Sequence, residues 1–323
     1  MAPTISVVIT TFNQAPYIAA AVDSVLNQTY SDFEIIVVDD GSTDGTETRM
    51  SAYRDRLVYI RQRNQGVPVS RNVGIRHATG HVVAFLDGDD LWQPEKLRQQ
   101  MEAINAHPGS GLVVTDGVEF APDRIIRTSL MNPLVAALLE DRDSVTLRCY
   151  EDLIRQNLIT TTSQVMVPMA VLDRVGLSDE RLPVSSDWDL YLRIAAGSDV
   201  TFLRQKLVRY RYLATSASGP RDLRHFRWGL DTPRILRKHV RLAAPETRPL
   251  VKAELARRTR AIAEEAYYHS QETDPAWGRR YLFNVLLANP TSLSTSAYLL
   301  GLCAPRGLTR RFGRVVRRVL GWR

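Results

Sequence analysis

Cysteine is scarce in this sequence, and its two copies are poorly placed for disulfide or zinc chemistry. Cys149 and Cys303 lie far apart and show no metal-type spacing, so we expect neither a disulfide framework nor a zinc site. No basic, apolar leader precedes "TISVVITT", which argues against a signal peptide. The longest late apolar stretch, "AYLLGLCA", is far shorter than the roughly 20 residues that span a bilayer. We therefore expect a cytoplasmic protein, either soluble or peripheral on the cytoplasmic face of the membrane.

Acidic residues are missing from the C-terminal segment 304–323, which contains seven arginines. Because the formal net charge of the whole chain is only +7, the remainder is close to neutral, and we expect no nucleic-acid partner. In residues 305–323 apolar positions alternate with arginines at helical spacing. This basic tail is typical of a helix on an anionic membrane surface, although its apolar stripe could instead pack on the protein's own helical region.

The N-terminal hundred residues alternate between strand and helix patterns. "ISVVITT", "FEIIVVDD", "LVYIRQ" and "HVVAFLDGDD" predict strands, separated by helical stretches such as "YIAAAVDSVLNQ" and residues 67–77. Such alternation predicts an α/β fold with a mostly parallel central sheet flanked by helices. Ligands of these sheets bind beyond the carboxyl ends of the strands, where Thr10, Asp40 and Asp87 fall.

The rest of the chain predicts an extension of this domain and then a helical region. "GLVVTD", "TTTSQVMV", "VTFL" and "LVRYRY" read as four further strands, and "DWDLYLRIA" reads as a helix. Turn-forming residues in "SASGPRD" mark a boundary. We expect one domain over residues 1–215, divided at about residue 110 into two halves. Residues 216–323 should then form a helical C-terminal region that ends in the basic tail.

The acidic turn "LDGDD" is a candidate metal site. Its spacing allows the carboxylates of Asp87 and Asp89 to face one divalent cation, and Gly88 allows the backbone to bend. A hard ion such as Mg²⁺ or Mn²⁺ would accept these oxygens and keep positions open for phosphates. An isolated acidic turn is more often simply solvated, but the position after a buried strand favours metal binding.

Two other motifs allow more than one interpretation. "VVDDGSTDGT" is either a capped turn or a carboxylate acceptor for a nucleobase. Arg71, on the helix that precedes the acidic strand, is either a surface residue or a partner for a diphosphate.

Three ordered motifs resemble glycosyltransferase family 2, the inverting enzymes of the GT-A fold. They are "SVVITTFNQAPYIAAAVDSVLNQTYSDFEIIVVDDGSTDGT", "NQGVPVSRNVGI" and "FLDGDDLWQPEKL". A later stretch, "VGLSDERLPVSSDWDLYLRIA", resembles the acceptor-side segment of the family. The similarity covers roughly residues 4 to 215.

The resemblance implies a role for each matching residue. Thr10 and Asp40 would bind the nucleobase, Arg71 and Asp87 would lie near ribose or phosphate, Asp89 would bind the metal, and Asp187 would be the general base. The sequence departs from the family pattern at two positions. Ser186 stands where a glutamate commonly precedes the base, and Leu213 stands where a histidine often lies near the metal. Asp187 could also be only a helix N-cap, while Asp189 is expected to be structural.

These residues predict an inverting transfer of a hexose or N-acetylhexosamine from a nucleotide-diphosphate sugar, with UDP favoured, to an acceptor hydroxyl. The acceptor would be a glycan or a lipid-linked molecule in bacterial-type surface polysaccharide or glycolipid assembly. A catalytically impaired sugar-nucleotide-binding module remains an alternative. A sugar-phosphate nucleotidyltransferase is a second alternative, but it would need an early glycine-rich, basic phosphate loop, which we do not find in the sequence. A phosphohydrolase could use the acidic turn but would not need the base-recognition residues upstream.

Overall fold

The computed structural model describes residues 4–213 and 225–303. The chain divides into two compact units, residues 1–219 and 220–323. The strands are β1 (Ile5–Thr11), β2 (Phe33–Asp39), β3 (Val58–Arg61), β4 (Val82–Asp87), β5 (Leu91–Trp92), β6 (Ser110–Ala121), β7 (Arg124–Arg127), β8 (Ser144–Leu147), β9 (Val165–Pro168) and β10 (Asp199–Arg211). The helices of the first unit are α1 (Ile18–Leu26), α2 (Thr46–Met50), α3 (Val67–His77), α4 (Lys96–Ala106), α5 (Pro133–Leu138), α6 (Tyr150–Arg155), α7 (Met169–Val175) and α8 (Ser186–Ala195), with 3₁₀ turns at Ser51–Tyr53 and Thr162–Gln164.

All strands of the first unit join one sheet with the order β3-β2-β1-β4-β9-β6-β10-β5, in which β7 pairs with β6 and β8 with β10. The first four strands are parallel, as the alternating sequence predicts. Their central members are apolar along their length because both faces are covered, and every residue of β1 is buried. This half of the sheet brings the carboxyl ends of four strands to one edge.

The second half of the sheet is mixed rather than parallel. β9 runs antiparallel to both β4 and β6, and β5 runs antiparallel to β10. The predicted strand in "TTTSQVMV" is partly wrong, because its first residues form the 3₁₀ turn Thr162–Gln164 before β9 starts. The two strands expected in "VTFL" and "LVRYRY" are one strand, β10, whose pairing with β6 shifts register between Leu203 and Val208. Bulges of this kind bend a strand without ending it, and they interrupt the period of two that sequence reading depends on.

Apolar residues of β1, β2 and β4 pack with α1 and α4 into the main core of this unit. Val22 and Val25 of α1 and Leu97 of α4 are fully buried there. Each such side chain contributes about 1.5 to 3 kcal/mol by leaving water. The strand ends are therefore held on a rigid support.

The second unit is helical over its described residues. It contains α9 (His225–Leu242), α10 (Arg248–Glu272), α11 (Pro275–Ala288) and α12 (Leu293–Cys303). Its core includes Tyr267 and Tyr298, whose rings lie 5.0 Å apart, and the stacked pair Trp277 and Tyr281. Within residues 4–213 and 225–303, no helix is both long enough and apolar enough to cross a membrane.

Candidate active site

The predicted site residues of the first half of the sheet meet at its carboxyl edge. In the register of the parallel strands Thr10 lies beside Asp87 and Thr11 lies beside Asp39. Thr10 Oγ1 is 3.5 Å from Asp87 Oδ1. Because parallel strands end on the same side, residues far apart in sequence line one crevice.

Asp87 is paired with Arg71. The Arg71 Nη2 atom lies 2.9 Å from Asp87 Oδ1, and the Arg71 side chain is only 10% exposed. α3 supplies this arginine and packs against β1 and β2. At Gly74 of α3 an added Cβ would lie 2.3 Å from a Val8 methyl group, so the glycine lets the helix lie close to β1. Burial would lower the pKa of Arg71, but the carboxylates around it raise the pKa overall, so the guanidinium stays charged.

Asp187 approaches the same guanidinium from α8. Burial raises the pKa of Asp187, while the charge of Arg71 acts in the opposite direction. Its Oδ1 accepts a hydrogen bond from the amide of Trp188 at 2.7 Å. The N-cap of α8 is Ser185, so the alternative in which Asp187 is the N-cap is wrong. Arg71 thus links the predicted donor side of the site, at Asp87, to the predicted base.

Asp89 lies in the turn that follows β4. Burial and the nearby charge of Asp87 raise the pKa of Asp89 to about 6, although Arg211 and a hydrogen bond from Gln14 act to lower it. Arg211 Nε donates to the main-chain oxygen of Asp89 at 2.8 Å. The absence of a side chain at Gly88 lets the turn lie close to α1 and β1, since an added Cβ would lie 3.0 Å from Thr11 Cβ and 3.1 Å from Ile18 Cδ1.

Asp90, the third acid of the turn, is structural. It is fully buried, and its Oδ2 accepts a hydrogen bond from Ser163 Oγ at 2.6 Å. Its Oδ1 accepts from the amide of Arg211 at 2.9 Å. Ser163 also accepts from the amide of Asp87 at 3.1 Å. The acidic turn is therefore held between the 3₁₀ turn and β10.

Asp40 anchors the loop that leads into α3. Its Oδ1 accepts from Gln62 Nε2 at 2.7 Å and from the amide of Gln65 at 2.9 Å, while Oδ2 accepts from the amide of Gly66 at 2.7 Å. Gly66 has a φ of 92°, a backbone conformation that favours glycine. The structure gives Asp40 this structural role, and its contact with a nucleobase stays a prediction.

The carboxylates of Asp87 and Asp89 are the predicted metal ligands. Burial and, after it, the like charge of Asp87 raise the pKa of Asp89, and a divalent cation would neutralise that like charge. Among the described residues, no group of three or more His, Cys, Asp or Glu side chains is arranged to hold a metal ion. The two carboxylates would suit an ion that takes its other ligands from water and from phosphate oxygens, as Mg²⁺ usually does.

The two departures from the family pattern, Ser186 and Leu213, lie within the described residues. Ser186 is buried at the first position of α8, so Asp187 has no carboxylate beside it at that position. Leu213 offers no metal ligand. Asp189 is structural as expected, because it is fully buried and accepts a hydrogen bond from Arg193 Nε at 2.9 Å.

Arg211, which contacts the acidic turn, was not among the residues predicted from the sequence. Its guanidinium packs 4.7 Å from the Tyr17 ring and 4.5 Å from the Phe120 ring, beside the acidic turn. The available signal was the period of two in β10, which places Arg209 and Arg211 on one face of the strand. Ser163 and Gln14 carried no comparable signal, since only the folded chain brings them to the turn.

Comparisons with known proteins agree with this architecture. A glycosyltransferase of Rickettsia typhi is 31% identical over 209 residues, which are 65% of this chain and 64% of that protein. WfgD of Escherichia coli, a UDP-Glc:alpha-D-GlcNAc-diphosphoundecaprenol beta-1,3-glucosyltransferase, is 33% identical over 102 residues, 31% of this chain and 40% of WfgD. The chain thus aligns with less than two thirds of the length of these relatives.

Two solved structures share the fold. Staphylococcus aureus TarS 1-349 in complex with UDP superposes with a TM-score of 0.65 at 19% identity, covering 98% of this chain and 89% of that chain. The mannosyltransferase PcManGT of Pyrobaculum calidifontis, in complex with GDP-Man and Mn²⁺, gives a TM-score of 0.55 at 20% identity, covering 99% and 88%. The predicted α/β fold of the GT-A type, with its helical C-terminal region, is confirmed. Residues 6–175, more than half of the chain, match the family described as glycosyl transferase family 2, and the chain belongs to that family.

Proposed function

We propose that this protein is an inverting glycosyltransferase that moves a sugar from a nucleotide-diphosphate sugar to an acceptor hydroxyl. The supporting observation is the position of Arg71, which pairs with Asp87 at 2.9 Å and whose charge also acts on Asp187. One buried cation thus connects a strand-end acid of the donor side with a carboxylate suited to proton transfer. This arrangement fits a displacement in which the strand-end acid serves the donor and Asp187 serves the acceptor hydroxyl.

On the donor side, Arg71, which pairs with Asp87, and Arg211, which contacts the acidic turn, would offset negative charge on a diphosphate leaving group. Asp89 and Asp87 would hold a divalent cation, Mg²⁺ or Mn²⁺, against the same phosphates. When bound, that ion would stabilise charge on the departing diphosphate. The Mn²⁺ in the PcManGT complex supports this cofactor.

On the acceptor side, Asp187 would accept the proton of the attacking hydroxyl. Burial raises its pKa, which makes a carboxylate a stronger base, while the charge of Arg71 acts in the opposite direction and favours the ionised form. A single displacement with one base inverts the configuration at the sugar carbon. We therefore expect a product of inverted anomeric configuration, which a proton coupling constant reports.

The favoured donor is a UDP-hexose or UDP-N-acetylhexosamine. WfgD is named for a UDP-Glc donor, and TarS was solved with UDP, whereas PcManGT was solved with GDP-Man. WfgD is also named for a lipid-diphosphate-linked acceptor. We propose a glycan or lipid-linked acceptor in bacterial-type surface polysaccharide or glycolipid assembly.

Two aspartate variants test the function. The wild type should be screened with UDP-, GDP- and dTDP-sugars and Mn²⁺ for thermal stabilisation and release of nucleoside diphosphate. With the donor so found, Asp187→Asn should lower transfer by about 10²-fold or more and leave donor binding unchanged. Asp89→Asn should abolish the effect of Mn²⁺ on transfer and on donor binding.

The matched control is Asp173→Asn, an exposed aspartate on α7, which should behave as the wild type. Near-normal transfer by Asp187→Asn would contradict its role as base.

The alternative function is a catalytically impaired sugar-nucleotide-binding module. It is supported by Ser186, which replaces a carboxylate, and by Leu213, which replaces a histidine. Slow hydrolysis of the bound donor without acceptor separates the two functions. An active transferase should release nucleoside diphosphate, and Asp89→Asn should lose that release. A protein that binds the donor tightly but never consumes it is the impaired module.

A further inference from the structure

The helical unit contains a strongly basic cavity that the proposed function does not use. The cavity has a volume of about 810 Å³ and is lined by residues of α9 and α10 and by the segment that begins α12. Among the described residues, no carboxylate lines it, and the cationic side chains that do are Arg237, Arg241, Lys252, Arg257 and Arg260. We call it the basic cavity.

The spacing of these cations works against helix stability. Arg237 and Arg241 are four residues apart on α9, and Lys252 and Arg260 lie two turns apart on one face of α10, with Ala256 between them. Like charges four residues apart on a helix repel one another, as Arg237 and Arg241 do. The small side chain of Ala256 leaves space between the two cations of α10. Charges that folding brings together at a cost indicate a ligand of opposite charge.

Most of this charge is not neutralised by the described part of the chain. Arg257 pairs with Glu254 at 2.8 Å. In contrast, residues 4–213 and 225–303 place no carboxylate within ion-pair distance of Arg237, Arg241 or Lys252. All three side chains belong to exposed residues and remain accessible to an anion.

The wall formed by the start of α12 contributes two serine hydroxyl groups to the cavity. Ser292 Oγ accepts from the amide of Thr295 at 3.2 Å and lies 3.1 Å from Ser294 Oγ, and both serines line the cavity. The first amides of a helix carry partial positive charge and favour anions. Cations on two helices and hydroxyl groups on a third thus surround one space.

We propose that the basic cavity binds a water-soluble ligand, or a soluble segment of a larger one, that carries two or more closely spaced phosphate groups. Cations on both α9 and α10 can then be neutralised together, which a single small anion cannot do. The concave shape favours a phosphate chain that enters the cavity over a flat layer of lipid headgroups. The inference rests only on residues of the helical unit and is independent of the proposed transfer reaction.

Binding of inorganic tripolyphosphate to the full chain, without divalent metal and at low salt, tests the site. Arg241→Glu combined with Lys252→Glu should raise the dissociation constant at least tenfold, measured by calorimetry. The control combines Arg124→Glu and Arg280→Glu, which change the net charge equally at side chains about 70% exposed and outside the cavity. Its dissociation constant should rise less than threefold. Equal losses in the two double variants would overturn the proposal.

Three further measurements test the proposal. If the double variant does not fold, Arg241→Gln should still weaken tripolyphosphate binding about threefold, and no change would contradict the site. Orthophosphate should bind at least tenfold more weakly than tripolyphosphate, because it spans fewer cations, and equal affinity would exclude a ligand with several phosphates.

Binding to phosphatidylglycerol vesicles should be the same for Arg241→Glu/Lys252→Glu and its control. Loss of vesicle binding only in the cavity variant would make lipid headgroups the source and overturn the soluble ligand.

Discussion

Asp89 has an acid group whose charge the fold disfavours, because burial and Asp87 raise its pKa to about 6. An unfolded aspartate titrates near 3.9. Between these two values the folded state binds more protons than the unfolded state, so the contribution of this group to stability falls as the pH rises from about 4 to about 6. A bound divalent cation would offset that loss at neutral pH, since it binds the ionised carboxylate of the folded state.

We therefore predict that the free energies of unfolding of wild type and Asp89→Asn diverge with pH. The wild type should lose roughly 1 to 3 kcal/mol relative to the variant between pH 4 and pH 7, because only the wild type must ionise this carboxyl group. Urea unfolding at several pH values measures the difference. Added Mn²⁺ at pH 7 should stabilise the wild type and leave the variant unchanged. A pH-independent difference between the two proteins would show that Asp89 titrates normally.

The residues of the site differ in how far sequence could assign them. Asp87 and Asp89 follow an apolar strand, so their place at a sheet edge is fixed by local pattern. The structural role of Asp90 was not predictable, because Ser163 and the amide of Arg211, its partners, come from distant parts of the chain. Local pattern gives the position of an acid, and long-range contacts decide whether it points to the crevice or to the interior.

At the element scale, α4 begins with a lysine in an unusual environment. Lys96 is fully buried, its Nζ donates to Gln100 Oε1 at 2.6 Å, and it lies 3.7 Å from the centroid of the Trp92 ring. Burial lowers the pKa of Lys96 well below its usual value. The unfolded chain, where lysine titrates near 10.4, then binds the additional proton. This lysine therefore contributes more to stability as the pH rises towards 10.

The variant Lys96→Met, which keeps the length of the side chain, tests this environment. The free energy of unfolding of the wild type should rise relative to Lys96→Met between pH 6 and pH 9, by at most about 1.4 kcal/mol per pH unit. Chemical unfolding at fixed ionic strength measures it, with the exposed Arg124→Met as the control. Parallel pH profiles of Lys96→Met and wild type would mean that Lys96 stays charged over the Trp92 ring.

The elements themselves show where sequence patterns lose their power. β1, β2 and β4 were predictable because strands buried on both faces are short continuous apolar runs between turns. The path of β10 was not, because its register shifts against β6 break the period of two midway. The antiparallel insertion of β9 between β4 and β6 is set by long-range pairing, which no local pattern contains.

For the whole molecule, charge is distributed unevenly. The basic tail, residues 305–323, lies outside the described residues, and its sequence contains an apolar stripe with Phe312, Leu320 and Trp322 among its arginines. The proposed lipid-linked acceptor would lie at a membrane surface. A cytoplasmic location with peripheral attachment to an anionic leaflet therefore stays our prediction for the intact chain. The basic cavity is predicted to bind a soluble ligand and the basic tail a membrane surface. Variants of the cavity should therefore change only phosphate binding, and variants of the tail only vesicle binding.

Deletion of residues 305–323 tests the attachment. Each arginine near an anionic leaflet contributes about 1 kcal/mol, and burial of Trp322 and its apolar neighbours adds to this. The truncated protein should keep donor binding but no longer cosediment with phosphatidylglycerol vesicles. High salt should weaken vesicle binding of the intact chain, because screening shortens the reach of the arginine charges. Trp322→Ala, which keeps every arginine, should weaken vesicle binding while preserving its salt dependence. If the intact chain ignores anionic vesicles at low salt, the tail has another partner, and the packing of its apolar stripe on the helical region becomes the better interpretation.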